Sequence, residues 1–112
     1  MMQQHLTRIE QANLIAGHAV SYATAYLDGR HNAQQLGDNA DRLFLDLLVV
    51  ETPETSTFLI PVQLLVITMM RTAKCARDLS QWPSREDRWQ SVIASLVELV
   101  THESRHLTKD RA

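Results

Sequence analysis

Phe58-Leu59-Ile60 leads into PVQLLVITMMRTAKCARDL, residues 61–79, the most apolar stretch of the chain. Between Val62 and Met70 only Gln63 and Thr68 are polar. A helix that is hydrophobic all round is a buried one. Pro61 fixes its own φ and disfavours the α region at Ile60, so the spacing predicts a helix that begins at Pro61. The apolar run over 58–70 counts thirteen residues. A bilayer span needs about twenty, so this reads as a core or interface helix and no membrane partner is expected. Beyond Met70 the pattern becomes one-sided: Ala73, Ala76 and Leu79 continue a stripe, while Arg71, Lys74, Arg77 and Asp78 are polar. Pro83 then disfavours helix at Trp82.

The remaining stretches are amphipathic around this one. Leu6, Ile9, Ala12, Ile15, Ala16, Ala19, Tyr22, Ala23, Tyr26 and Leu27 recur at helical spacing and predict a helix over 3–27, ended by Gly29 as its C′ residue. Four alanines on that stripe let another helix approach closely. Residues 30–38, RHNAQQLGD, read as a connection with a short turn around 33–36, and Asp38 as the cap of a second helix over 39–50. Leu43, Phe44, Leu47 and Leu48 form its apolar face. Residues 52–56, TPETS, are a loop by composition. Ser84 with Asp87 forms a capping-box variant opening a fourth helix, whose stripe is Trp89, Val92, Ile93, Leu96, Val97, Val100 and Leu107. No window alternates as a strand should, so the chain reads as all-α: a small antiparallel bundle of about four helices, dimeric, with residues 1–112 as a single domain.

Composition bounds the function. Of 112 residues, 45% are hydrophobic and 21% charged, which suits a globular chain. The net charge of −2 argues against a dedicated nucleic-acid binder. The charge is uneven: residues 1–70 carry three Lys/Arg against seven Asp/Glu, and residues 71–112 carry eight against six. A nucleic-acid-binding accessory protein working through the basic half is therefore a second alternative. Its patch would be Arg71, Lys74, Arg77, Arg85 and Arg88, interrupted by Asp78, Glu86 and Asp87. Cys75, the single cysteine, excludes an intrachain disulfide and suits a reducing compartment. The opening MMQQHLTRIEQ has neither a basic n-region nor an apolar h-region, so a cytoplasmic location is expected.

One chemical pattern stands out. His102-Glu103-Ser104-Arg105-His106 reads H-E-x-x-H and resembles the zinc-binding helix of the zincin metallopeptidases. The resemblance implies His102 and His106 as zinc ligands and Glu103 as the general base that activates water. Geometry weighs against it. Asp110 lies eight residues beyond His102, about 12 Å along the helix axis, too far to serve as the third ligand. With Trp89 at zero and 100° per residue, Val100 and Leu107 fall within about 20°, whereas His102 and His106 fall near about 220° and 260°, on the polar side. A histidine pair in a last helical turn also has an electrostatic role of its own. The metallopeptidase stands as the alternative; no cofactor and no metal are expected.

The apolar surplus of 58–70 carries the preferred reading. Leu64, Ile67 and Met70 lie on a different side from Val62, Val66, Met69 and Ala73, so one set can face the core and the other a partner. Unpartnered apolar patches mark interfaces, and a two-fold homodimer is the commonest solution. Tyr22, Tyr26 and Trp82 are the rim aromatics expected of such an interface. The chain reads as a non-enzymatic protein acting by contact with another protein. By size and physics this is the class of the antiactivators that occlude transcription regulators. Replacing His102 and His106 with alanine separates the two readings, because only the enzyme would lose its activity.

Overall fold

The computed structural model describes residues 7–50, 56–77 and 82–111. Four helices account for nearly all of them: α1 (Arg8–Leu27), α2 (Ala33–Val50), α3 (Ser56–Ala76) and α4 (Trp82–Arg111). No described residue is in a strand. The helices pack into one bundle. α3 lies between α2 and α4, and α1 closes the back against the same two. α1 and α3 meet across the middle, while the backbones of α2 and α4 stay more than 8 Å apart among the described residues. The central layer is α3. Leu59, Val62, Leu65, Val66 and Met69 have no exposed surface and meet Leu36 of α2 and Ile93 and Val100 of α4. Each such side chain contributes about 1.5–3 kcal/mol of hydrophobic stabilisation. α1 presents Ala12, Ala16, Ala19 and Ala23, all fully buried, so its backbone sits close to the core.

The helix ends show why the elements stop where they do. Thr7 and Glu10 form a reciprocal capping box at α1: the Glu10 amide donates to Thr7 Oγ1 (3.1 Å) and the Thr7 amide to Glu10 Oε1 (3.0 Å). At its other end Gly29 has φ +80. The Gly29 amide donates to the Tyr26 carbonyl (3.1 Å) and the Arg30 amide to the Ala25 carbonyl (2.8 Å), a Schellman closure with glycine at C′, as expected. The first helix starts at Arg8; residues 3–6 of the expected span lie outside the described residues.

Three expected boundaries are corrected. α2 starts at Ala33, so most of 30–38 is helix and not connection. Its cap is Asn32 and not Asp38: the Gln35 amide donates to Asn32 Oδ1 (2.8 Å) and the Asn32 amide to Gln35 Oε1 (2.9 Å). α3 starts at Ser56, leaving Pro61 inside the helix. Proline there removes one hydrogen bond, and the burial of Leu59, Pro61 and Val62 holds the turn regardless. α4 starts at Trp82, with Pro83 second. An amide at that position has no acceptor within the helix anyway, so proline costs little there. The loop expected over 52–56 falls, up to residue 55, outside the described residues, as do the last residues of the 61–79 span from 78 on.

The polar residues of α3 are accommodated locally. Thr68 Oγ1 donates to the Leu64 carbonyl and Thr72 Oγ1 to the Thr68 carbonyl, both at 2.7 Å, so the fully buried Thr72 hydroxyl is satisfied within its own helix. The window Leu59–Ala76 is long and apolar enough to cross a bilayer by length and composition, with mean hydropathy 1.3. Forty-four per cent of it is buried inside the bundle, and core helices of soluble proteins meet the same criterion.

Candidate functional site

Two features of the surface are candidates for function. The first is an apolar face. Along α3, Ile60, Leu64 and Ile67 follow one another at i, i+4 and i+7 and are 54%, 48% and 39% exposed, while Val62, Val66 and Met69 on the opposite side are fully buried. Met70 is half-buried against the core. The stripe continues onto both neighbours. Leu64 and Val92 line one open groove between α3 and α4, of about 480 Å³. Ile67 and Asp41 line another between α3 and α2, of about 370 Å³. Helical spacing puts Asp41, Phe44 and Leu48 on one line of α2, and Phe44 and Leu48 are both exposed. The face therefore runs across three helices. Exposed cations sit at its α3 end, where Arg71, Lys74 and Arg77 line the groove with Asp41.

Phe44 and Leu48 were expected to point inward with Leu43 and Leu47. Only the latter pair is buried, joined by Leu36, Ala40 and Val50. Leu45 and Val49 are exposed as well, so the last two turns of α2 are apolar on nearly every side. Val49 lines a separate groove with Leu14 and His18 of α1. These α2 residues are the part of the surface that sequence reasoning missed. The signal was present in LFLDLLVV, which has more apolar residues than one core face can take.

The aromatic residues divide. Tyr22 is half-buried, its ring stacked on exposed His18 with centroids 6.2 Å apart. Tyr26 is not a rim residue: it is 4% exposed, and its hydroxyl donates to Glu86 Oε2 of α4 (3.2 Å). Burial first, and then the neighbouring Glu86 carboxylate, push the phenol up to about 12. The Trp82 side chain lies outside the described residues. So does the His106 side chain. His102 is exposed and Glu103 half-buried, two and three residues beyond Val100, the last buried position described in α4. Among the described residues no three His, Cys, Asp or Glu side chains converge as metal ligands would. Cys75 is half-buried and free.

The second feature is a cavity of about 540 Å³ at one end of the bundle. All four helices reach it: the end of α1 with Tyr26 and Leu27, the start of α2 with Ala33 and His31 just before it, the end of α3 with Ala76 and Arg77 just after it, and α4 with Glu86 and Gln90. Gln90 lies beside the Tyr26 hydroxyl. His31 Nδ1 is buried and has no hydrogen-bond partner among the described residues.

Comparison with known protein families, with curated proteins and with solved structures finds no match to this chain. The four-helix architecture and these two surface features therefore stand on their own geometry.

Proposed function

We propose that this is a small, non-enzymatic cytoplasmic protein that works by protein–protein contact. In this reading it is a homodimer of antiparallel helix bundles, and a regulator that binds and occludes another protein in the manner of an antiactivator on a transcription regulator. The observation that carries the contact reading is the face formed by Phe44, Leu48, Ile60, Leu64, Ile67 and Val92, large apolar side chains left exposed across three adjacent helices. Water is a poor solvent for such a continuous face, and a second protein surface is the usual cover. A second copy is the favoured first occupant. Asp41 of α2 and Arg71 and Lys74 of α3 line one groove at the edge of the face, and a two-fold axis can set the acid of one copy's groove against the bases of its partner's.

Solution mass tests this. Light scattering and sedimentation of the wild type should give twice the chain mass of 12.8 kDa. Leu48→Asp and Ile67→Asp should each give single-chain mass with an unchanged circular dichroism spectrum, since both side chains are exposed in the single bundle. A monomeric wild type at micromolar concentration refutes the homodimer, as does a dimer that survives in both folded variants.

A further inference from the structure

We propose that the end cavity is a binding site for a small zwitterion, a molecule of amino-acid to dipeptide size that carries an amine and a carboxylate. The inference does not rest on the contact reading: none of the large apolar side chains of the face lines this cavity, although Arg77 borders both. Its volume of about 540 Å³ falls in the range of roughly 300–1,000 Å³ typical of small-molecule sites.

The chemistry of the lining selects the ligand. Arg77 and Glu86 both line the cavity, yet they form no ion pair with each other. Glu86 accepts the Tyr26 hydroxyl through Oε2 alone. A carboxylate offers about four lone-pair sites, so Oε1 can accept from an ammonium group. Arg77 is exposed at the end of α3 and has its guanidinium donors to offer a carboxylate. His31 adds a buried ring nitrogen that no described group satisfies, and such a nitrogen is costly to leave unpaired. Leu27, Ala33 and Ala76 supply apolar wall for the body of the ligand. A purely anionic ligand would meet Glu86 unfavourably, and a purely cationic one would leave Arg77 unused. A molecule with both charges satisfies both residues at once.

Calorimetric titration of the intact chain tests the site, with leucine, phenylalanine and dileucine as probes. Isoamylamine and isovalerate, each lacking one charge, serve as controls. At least one zwitterion should saturate in the millimolar range or tighter. Each control should bind about tenfold more weakly or worse, as loss of a charged hydrogen bond implies. Arg77→Gln and Glu86→Gln should each weaken the best zwitterion by a similar factor. Glutamine at 86 keeps an acceptor for Tyr26, and residue 77 is exposed; were the first variant to unfold, the second alone would decide. Absence of heat with all three zwitterions overturns the proposal. So does a control that binds as well as its parent, or affinity unchanged in Arg77→Gln.

Discussion

Gly37→Ala and Gly17→Ala change a helical glycine in the same way and should move stability in opposite directions. Alanine is favoured over glycine in a helix interior by about 1 kcal/mol. At Gly17, on the exposed side of α1, an added Cβ meets nothing within 4 Å, so the full gain of about 1 kcal/mol should appear. At Gly37 the added Cβ would lie 2.5 Å from the Cβ of Ala73. Comfortable carbon–carbon contact begins at about 3.5 Å, so α2 and α3 must separate locally by about 1 Å. Neither Cβ can swing away, since each is fixed to its backbone. Leu36 and Ala40 beside Gly37 are fully buried and resist the shift. Overpacking of a core costs about 1–3 kcal/mol, and a rigid pair belongs in the upper half of that range. After the propensity gain, the net loss is about 1–2 kcal/mol. Adding Ala73→Gly to Gly37→Ala removes the collision and should bring stability back to within about 1 kcal/mol of wild type, a coupling typical of touching residues. Urea unfolding followed by circular dichroism measures all four proteins. If Gly37→Ala proves as stabilising as Gly17→Ala, the close approach of α2 and α3 at this point is wrong.

Two further outcomes follow from single hydrogen-bonded groups. The Tyr26 phenol is raised from its ordinary 10.0 to about 12, so the folded state holds that proton more tightly than the unfolded chain does. The associated stability is complete below about pH 10 and is lost as pH rises towards about 12, in total about 2–3 kcal/mol. Urea unfolding at stepped alkaline pH should show this decline in the wild type and a flatter profile in Tyr26→Phe; parallel profiles would exclude the assignment. At the start of α2, Asn32→Ala should cost about 1 kcal/mol by removing the acceptor of the Gln35 amide, and a thermal melt equal to that of wild type would show that Asn32 is not the cap.

The parts of the fold legible in the sequence are those where one local signal dominates. The split of α3 into Val62, Val66 and Met69 against Leu64 and Ile67 follows from 100° per residue alone, and the glycine closure of α1 follows from Asp28-Gly29. Boundaries failed where two signals compete. Asn32 and Asp38 are both good caps, and Gly37 between them suggests a break. Only the packing of Ala73 against that glycine shows why the helix runs through it. Pro61 argues for a helix start, but the burial of its neighbours outweighs one lost hydrogen bond. The candidate site was half legible. The exposed stripe of α3 is a matter of periodicity. Which sides of the uniformly apolar end of α2 are covered depends on where α1 and α3 lie. The cavity draws on four separate segments, and no local pattern announces it.

The Tyr26–Glu86 hydrogen bond joins residues 60 positions apart in the chain, and this has a bearing on biosynthesis. At translation speeds of about 5–20 residues per second, Glu86 is made roughly 3–12 s after Tyr26. Ile93 and Val100, which fill the core from α4, come later still. Until then the nascent chain lacks the α4 side chains that complete the core. A nascent intermediate of this kind is the species for which chaperones compete, and its lifetime is set by the speed at which the fourth helix emerges.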